Sequence, residues 1–392
     1  MCEREATRAA AGAQCQTAGV DDTVADLWHL DPSVTHLNHG SFGAVPLAVL
    51  AAQAAVQRRI ESNPERFYRD DFRADLRAAR LAAASLLGCD ADGLVLVDNV
   101  TEAAACVIDA ISLREGGEIV VSDQVYPHVL TAARQAAWLH GASIRIVSPW
   151  SPSPADVVGA FVDALSPRTQ LVVVDQIASA SAWLMPVDDV IDAIGSRAPV
   201  FVDGAHSPGL LPSPVNPAAA FWSGNFHKWA FSARAAGALV VRPDWRDRVR
   251  PRVVSSDWDR VFAERFDYQG TTDQSPRLCL DAALAFPEQY LGMTFDQLRA
   301  RNHAVLGEGV ALMHDCFAAE PEPDAGLPLR ALTFPHEMDQ DAALALMHRL
   351  RGDGISIAMM SHCGHLRLRL SAQRYNDAAD FTRLAEALTQ AL

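Results

Sequence analysis

A single lysine stands out as the first residue that could do chemistry. Lysine and arginine together number 33 among the 392 residues, and Lys228 is the only lysine. A primary amine forms a Schiff base with an aldehyde and can exchange a proton near neutral pH, whereas a guanidinium does neither. Codon usage that disfavours lysine could also produce a sequence with a single lysine, so the count by itself does not distinguish codon bias from a chemical role. The residues around Lys228 favour a chemical role.

Other residues that could bind or react with a ligand follow short runs of branched apolar residues. Asp203 follows one run, where a buried carboxylate needs a cation or a donor as its partner. Thr101 opens a helical segment after another; its hydroxyl and the free backbone N–H groups suit a phosphate, although an ordinary N-cap has the same appearance. Tyr126 could cover a flat ring or pack in the core. An amine, a carboxylate, a phosphate loop and an aromatic ring together suit pyridoxal 5′-phosphate.

The elements that must position these residues form an alternating pattern. Seven runs are predicted strands, at 94–97, 119–121, 144–147, 171–174, 199–202, 219–222 and 238–241. Helical periodicity lies before and between them, at about 46–61, 70–87, 101–112, 128–140, 154–165 and 187–194. Such alternation predicts an α/β fold with one mostly parallel, seven-stranded sheet that has helices on both faces. Ligands of these sheets bind beyond the carboxyl ends of the strands.

The pattern changes after Pro251. Residues 252–275 are irregular and polar, 276–317 are helical, and 320–326 form a loop. Strands at 329–334, 355–358 and 365–371 then alternate with helices at 339–351 and 377–391, which predicts a smaller α+β domain. We therefore expect a disordered tail at 1–22, a large domain at 23–255 and a C-terminal domain at 256–392.

The composition argues against several classes of function. A net charge of −15 disfavours binding to nucleic acid or to anionic membranes. The seven cysteines are scattered and form no CxxC pair, which disfavours a disulfide framework and a zinc site. No apolar run is long enough to span a bilayer, and the first residues do not resemble a secretory signal. We expect a cytoplasmic protein that binds no metal, nucleic acid or membrane.

Eight segments in order along the chain carry a resemblance to one family. They are LNHGSFGAVP (37–46), NPERF (63–67), DNVTEA (98–103), VYPHV (125–129), VDGAHSPG (202–209), SGNFHKW (223–229), GTTD (270–273) and RLRLSAQRYN (367–376). With these segments the chain resembles the class V aminotransferase family of pyridoxal-phosphate enzymes, and within it the isopenicillin N epimerase-like branch. The resemblance covers residues 36 to 390 and implies fold type I.

The resemblance implies a role for each residue at the cofactor ring. Lys228 matches the lysine that binds the cofactor aldehyde, and Asp203 matches the carboxylate that keeps the pyridine nitrogen protonated. Tyr126 falls where the family has a ring-stacking residue, and Gln176 falls near the ring hydroxyl. His206, within the VDGAHSPG segment, is also expected to bind the cofactor.

The resemblance also implies where the phosphate binds. Four residues match phosphate-binding positions, namely Val100, Thr101, Asn225 and His227. Gly270 and Thr271 match a pair that reaches the phosphate of the neighbouring subunit. The implied assembly is therefore a homodimer with shared active sites.

An amino-acid-like small molecule is the implied substrate. Arg369 matches the arginine that holds the α-carboxylate in a bidentate fork, although a residue on an alternating strand can also face solvent. Asn38, His39 and Gly40 match the substrate-pocket loop near the N-terminus, where His39 could also be an ordinary turn residue.

Three positions depart from related sequences. Asn225 stands where cysteine desulfurases have serine, and Gln176 stands where many members of the branch have histidine. Cys363 precedes Arg369 by only six residues, whereas desulfurases carry their sulfur-accepting cysteine farther upstream on a longer loop. We therefore expect Cys363 to be a structural thiol.

The implied reaction begins with removal of the substrate Cα proton by Lys228, and the family divides after that step. We predict a C–S lyase that acts on an S-substituted cysteine in small-molecule biosynthesis, such as that of an antibiotic. One alternative is an epimerase, which needs a second acid such as His39 or Tyr126. A decarboxylating oxidative deaminase is another. A pyridoxal-phosphate-binding regulator is disfavoured, because the acidic chain offers no DNA-binding module.

Overall fold

The structure, a computed structural model, describes Val24, residues 26–149 and residues 151–392. The tail predicted at 1–22 lies outside these residues. The described strands are β1 (Thr35–His36), β2 (Leu94–Val97), β3 (Glu118–Ser122), β4 (Ser143–Val147), β5 (Thr169–Asp175), β6 (Val200–Asp203), β7 (Phe221–Asn225), β8 (Gly237–Val241), β9 (Glu320–Pro321), β10 (Leu329–Glu337), β11 (Ile355–Ser356), β12 (Ala358–His362) and β13 (His365–Ser371).

The described α-helices cover both halves of the chain. They are α1 (His39–Phe42), α2 (Leu47–Ser62), α3 (Pro64–Arg66), α4 (Phe72–Leu87), α5 (Val100–Ala110), α6 (Pro127–His140), α7 (Pro154–Ala164), α8 (Val187–Ile194), α9 (Phe226–Trp229), α10 (Ser275–Leu278), α11 (Leu280–Leu291), α12 (Phe295–Phe317), α13 (Gln340–Gly352) and α14 (Ala378–Ala391). A π-helical turn at Phe67–Asp71 joins α3 to α4.

A seven-stranded sheet forms the centre of the larger part, in the order β2-β8-β7-β6-β5-β3-β4. Strand β8 is antiparallel to both of its neighbours, and the other pairs of adjacent strands are parallel. The predicted α/β fold with a mostly parallel sheet is therefore confirmed. The first two predicted residues of one strand lie outside it, since β7 begins at Phe221 and extends to Asn225.

Alternate residues of the central strands enter two separate cores, because successive side chains of a strand point to opposite faces. Val172 packs on one face with Phe72 of α4 and Phe161 of α7. Val173 packs on the other face with residues of α5 and α6. The sheet is thus buried on both sides, which explains why its strands are continuous apolar runs.

The C-terminal part contains a four-stranded antiparallel sheet in the order β12-β13-β10-β9. Helices α12, α13 and α14 share its apolar core. Two details differ from the sequence-based expectation. The predicted loop at 320–326 contributes β9, because Glu320 and Pro321 pair with β10. The strand predicted at 355–358 is split into β11, which pairs with β1, and β12, which pairs with β13.

The fold brings the carboxyl ends of six strands to one edge of the central sheet, those of β2, β3, β4, β5, β6 and β7. Residues that follow these strands therefore meet there, as expected for a ligand site of an open α/β sheet. Among the described residues, no helix combines the length and the apolar character that crossing a membrane requires.

Candidate active site

A cavity of about 220 Å³ opens at this edge of the sheet. Eight of the residues singled out in the sequence lie in its wall: Val100, Thr101, Tyr126, Asp203, His206, Asn225, His227 and Lys228. They come from segments that are far apart in the sequence, and the parallel strands bring them together. A larger groove of about 600 Å³ lies elsewhere, beside α8, and does not contain Lys228.

Lys228 lies on the short helix α9, directly after β7, and only 9% of it is exposed. Its Nζ is 3.1 Å from Nε2 of His206. The indole N–H of Trp229 donates to Nδ1 of the same imidazole over 3.3 Å. An indole is only a donor, so the neutral imidazole must carry its proton on Nε2. His206 then donates to Lys228, which requires an uncharged amine with a free lone pair.

The charge state of Lys228 agrees with this hydrogen bond. Burial, and next the cation of Arg369, lower the pKa of Lys228 to about 7. Burial also lowers the pKa of His206 well below its ordinary value, so the imidazole is neutral at physiological pH. A large fraction of Lys228 is therefore a free amine near neutral pH, which is the form that attacks an aldehyde or accepts a proton.

Asp203 ends β6 and is 2% exposed. Its Oδ1 accepts the backbone N–H of Ala205 over 3.0 Å, and its Oδ2 is buried without a hydrogen-bond partner. Burial raises the pKa of Asp203 to about 6. An unpaired carboxylate oxygen is costly inside a protein, so the site fits a ligand that brings a positively charged donor. A protonated pyridine nitrogen is such a donor.

The start of α5 forms the polar end of the cavity. Asn99 caps the helix by accepting the backbone N–H of Glu102, and the backbone N–H of Val100 donates to Oδ1 of Asn225 over 3.0 Å. His227 lies nearby with a buried Nδ1 that has no partner, and burial lowers its pKa to about 4. A helix N-terminus with additional donors suits a phosphate.

Tyr126 lies on the opposite side of β6 from Lys228, at the start of α6. Its ring stacks on His128, with ring centroids 4.9 Å apart and an interplanar angle of 21°. Burial raises the pKa of Tyr126, so its phenol keeps its proton.

Arg369 of β13 lies behind two residues of the cavity wall, Ser41 and Ser179. It donates hydrogen bonds to both hydroxyl groups, to the carbonyl oxygen of Ser179 and to Oδ1 of Asn38. Its Nε is buried without a partner. Arg369 and Asn38, both expected to bind the substrate, are thus in contact, and the guanidinium is available for a carboxylate that replaces the neutral acceptors.

Gln176 does not reach the cavity in this structure. Its Nε2 donates to the carbonyl of Pro214, and its Oε1 accepts from Ser207 and Trp222. Consecutive side chains of a strand point to opposite faces of the sheet. Asp175 lies in the cavity wall, so the side chain of Gln176, the next residue, points away from the cavity and from Lys228.

His39 and Gly40 support the site without lining it. Nε2–H of His39 donates to the backbone carbonyl of Lys228 over 2.8 Å, and Nδ1 lies 2.9 Å from the hydroxyl of Tyr375. Burial lowers the pKa of His39 to about 4. A Cβ atom at Gly40 would lie 3.0 Å from Leu329 and 3.2 Å from Trp229, so the loop packs closely here.

Gly270 and Thr271 lie away from the cavity of their own chain. Gly270 has a φ of 114°, a conformation that favours glycine. The Thr271 hydroxyl is 2.9 Å from that of Tyr268, beside a separate surface depression that also contains Tyr68. The contribution of this pair to a partner's site stays a prediction.

Seven residues of the cavity wall were not among the predicted site residues: Ser41, Phe42, Asn99, Asp175, Ile177, Ser179 and Ala205. Asp175 could have been found, because it directly follows the predicted strand at 171–174 just as Asp203 follows the strand at 199–202. Phe42 is 71% exposed at the mouth of the cavity. Lys228 was singled out as the one lysine of the sequence, and the phosphate-binding candidates follow from the family resemblance.

Comparisons with known proteins agree with this geometry. The family model "Aminotransferase class-V" matches residues 44–384. Isopenicillin N epimerase of Streptomyces clavuligerus is 28% identical over 384 residues, which cover 92% of this chain and 95% of that protein. A putative L-cysteine desulfhydrase of Oryza sativa subsp. japonica is 31% identical, over 76% of this chain and 66% of that protein.

Solved structures show the same fold. The cystine C–S lyase C-DES, in complex with cysteine persulfide, superimposes with a TM-score of 0.77 at 19% identity, covering 91% of this chain and 97% of that chain. The cysteine desulfurase CsdA of Escherichia coli superimposes with a TM-score of 0.73, also at 19% identity, covering 94% of this chain and 98% of that chain.

The fold and the cavity define a pyridoxal-phosphate-dependent enzyme of fold type I. The chain belongs to the class V aminotransferase family, in the isopenicillin N epimerase-like branch. The residues present fit the cofactor, because the unpaired Oδ2 of Asp203 suits the ring nitrogen, the start of α5 suits the phosphate and Lys228 supplies an uncharged amine. The predicted family and cofactor are thus confirmed.

Proposed function

We propose that the protein is a C–S lyase that cleaves an S-substituted cysteine. The observation that carries the proposal is the pairing of one uncharged amine, Lys228, with a carboxylate-binding arginine, Arg369, whose contacts Ser41 and Ser179 line the same cavity. β-Elimination needs a base at Cα and a fixed carboxylate, and it needs no second acid on the opposite side of Cα. L-cysteine desulfhydrases among the relatives support this choice.

Arg369 and Lys228 have separate roles in this reaction. Arg369 binds the substrate carboxylate and so fixes the orientation of the Cα–H bond. The cofactor, when bound, supplies the electron sink that makes this proton removable. Lys228 takes the Cα proton, the Cβ–S bond breaks with its electron pair on sulfur, and the resulting ammonium can return the proton to the thiolate. The three-carbon product then hydrolyses to pyruvate and ammonia.

The mouth of the cavity supports an apolar substituent on sulfur. Phe42 exposes most of its ring there, and Ile177 also lies in the wall. An apolar S-substituent would remove the Phe42 ring from water, at about 25 cal/mol for each Å² that is covered. Free cysteine has no group that could make this contact. We therefore favour an S-alkyl or S-aryl cysteine over cysteine itself.

An amino-acid epimerase is the second candidate. The isopenicillin N epimerase relatives match over most of both chains, which favours it. Epimerisation requires a second acid, and His39 is engaged with the backbone carbonyl of Lys228 instead of lining the cavity. Tyr126 remains as a candidate, although burial raises the pKa of Tyr126 and makes its phenol a weaker acid.

Mass analysis of the products distinguishes these reactions. The purified enzyme, loaded with cofactor, is incubated with a series of S-alkylcysteines of increasing length. A released thiol together with pyruvate supports the lyase, and a product of unchanged mass but inverted configuration supports the epimerase. A carbonyl product that has lost both the carboxyl carbon and the amino nitrogen, formed with consumption of dioxygen, would instead indicate the decarboxylating oxidative deaminase. Lys228→Arg, which cannot form the covalent bond, is the inactive control.

We also propose that the enzyme is a cytoplasmic homodimer that acts in the biosynthesis of a small molecule such as an antibiotic. Gly270 and Thr271 of each chain would complete the phosphate end of the other chain's cavity. Mixing inactive Lys228→Ala chains with chains changed at Thr271 tests the shared site. If the sites are shared, mixed dimers regain one intact site, and activity returns.

A further inference from the structure

The cavity contains a second buried carboxyl group besides Asp203. Asp175 is the last residue of β5 and lies directly beside Asp203 of β6, because the two are paired in the register of these parallel strands. Val173 and Phe201, two residues earlier on each strand, pack in the same core with α5 and α6. Since side chains alternate along a strand, Asp175 and Asp203 leave the sheet on this same face.

Both carboxyl groups are almost fully shielded from water. Each residue is 2% exposed, and the Oδ2 atom of each is buried without a hydrogen-bond partner. Adjacent strands are about 4.8 Å apart, so two carboxylates at paired positions repel each other strongly in a site without bulk water. Such a pair retains one proton over a wide range of pH, as close carboxyl pairs do in general.

The surroundings of the two carboxyl groups indicate which one keeps the proton. Asp203 accepts the backbone N–H of Ala205, which favours its ionised form. Burial and the charge of Asp203 raise the pKa of Asp175 well above its ordinary value. The backbone N–H of Tyr126 opposes this rise but does not reverse it.

Five titratable or charged groups, from four parts of the fold, surround the pair. They are Lys228 and His227 on α9, His206 after β6, Tyr126 before α6 and Arg369 on β13. Arg369 is the one permanent cation among these described groups, and a substrate carboxylate would neutralise it. The cofactor ring nitrogen adds a single positive charge, which compensates the charge of one carboxylate beside the ring but not of two.

We propose that Asp175 is a positioning residue that stays protonated in the cofactor-loaded enzyme and leaves Asp203 as the single carboxylate facing the ring nitrogen. A neutral acid next to Asp203 offers a hydrogen-bond donor where a second anion would repel its charge. It thereby favours the ionised form of Asp203, which in turn holds the proton on the ring nitrogen. The proposal concerns the charge of the cofactor site and does not depend on which reaction follows.

Infrared spectroscopy of the cofactor-loaded enzyme tests for this proton directly. A protonated carboxylic acid has a C=O stretching band that is distinct from the bands of a carboxylate and that shifts in heavy water. We expect such a band at neutral pH in the unchanged enzyme and its loss in Asp175→Asn. The exposed Asp123→Asn serves as the matched control and should retain it.

Cofactor binding provides a second, independent measurement. Asparagine mimics a neutral acid in shape and charge, so Asp175→Asn should bind pyridoxal 5′-phosphate within about threefold of the unchanged enzyme. Asp203→Asn removes the partner of the ring nitrogen and should weaken binding by about 100-fold. If Asp175→Asn does not fold, Asp175→Ser removes the same carboxyl group and should remove the same infrared band. An unchanged infrared spectrum on removal of Asp175, or a loss of affinity in Asp175→Asn equal to that of Asp203→Asn, would overturn the proposal.

Discussion

The pKa of Lys228 is the property of the site that can be perturbed most informatively. The pKa is lowered from 10.5 to about 7, a difference of about 3.5 pKa units or roughly 5 kcal/mol. At about pH 7.5, roughly three quarters of the amine is then neutral, compared with about one part in a thousand for an ordinary lysine. Burial is the first cause of the shift and the cation of Arg369 is the second.

Replacement of Arg369 by glutamine removes the second cause and leaves the first. We expect the pKa of Lys228 to rise by about one unit and to stay well below that of an exposed lysine. The fraction of neutral amine at about pH 6.5 should fall by roughly five- to tenfold. Arg349→Gln is the control, because Arg349 is exposed and donates to the carbonyl of Gln390, outside the cavity.

The assay follows the rate at which cofactor-free protein binds pyridoxal 5′-phosphate covalently, by the growth of its yellow absorption, across a range of pH. Only the neutral amine attacks the aldehyde, so the midpoint of the rate profile reports the pKa of Lys228. We expect a midpoint near 7 for the unchanged protein and for Arg349→Gln, and a higher one for Arg369→Gln. A midpoint above about 9 in the unchanged protein, or no response to Arg369→Gln, would refute the reasoning.

Three further predictions follow from the geometry. The pKa of Asp203 is about 6 in the folded protein and 3.8 ordinarily, so Asp203 stabilises the fold below about pH 4 and this stabilisation, roughly 3 kcal/mol, is lost as the pH rises to about 6. Urea unfolding of the cofactor-free protein should show this fall in the free energy of unfolding, and Asp203→Asn should not. Tyr126→Phe keeps the ring and removes the hydroxyl, so lyase turnover should stay within about threefold. A loss of epimerisation activity above about 100-fold would instead make Tyr126 the second acid of an epimerase. Arg369→Lys keeps the charge and loses the fork, so KM should rise by about 10-fold to 100-fold while Arg349→Lys leaves it unchanged.

The positions of Lys228, Asp203 and Thr101 could be predicted because the argument needed only local patterns. Each follows a continuous apolar run, and the carboxyl ends of parallel strands must meet at one edge of the sheet. The order of the strands was not needed. Other wall residues, among them Asn225 and His227, came from the family resemblance and not from the strand pattern.

Gln176 shows where a family position is weaker evidence than strand geometry. The resemblance pointed to Gln176, but the side-chain alternation along β5 assigns Asp175 to the face that carries Val173, and Gln176 hydrogen-bonds to Pro214, Ser207 and Trp222 instead. A check of alternation from 171 to 176 against 199 to 203 would have grouped Asp175 with Asp203.

Other parts of the site depend on contacts that no local pattern encodes. His39 looks like a turn residue in the sequence, and its role in holding the Lys228 carbonyl depends on a segment 189 residues away. The strand β9 exists because residues 320–321 meet the edge of β10, which propensity cannot predict for a segment rich in proline. Gly270 and Thr271 can be assigned a ligand only when a second chain is present.

The central claim is that Lys228 is the point of covalent attachment of the cofactor. Borohydride reduction of the loaded enzyme, followed by proteolysis and mass analysis, tests it with little ambiguity because the sequence has no other lysine. We predict a pyridoxyl adduct on the peptide that contains position 228, absent from Lys228→Arg. A preparation that stays colourless with added pyridoxal 5′-phosphate, or that carries no adduct on this peptide after reduction, would contradict the account.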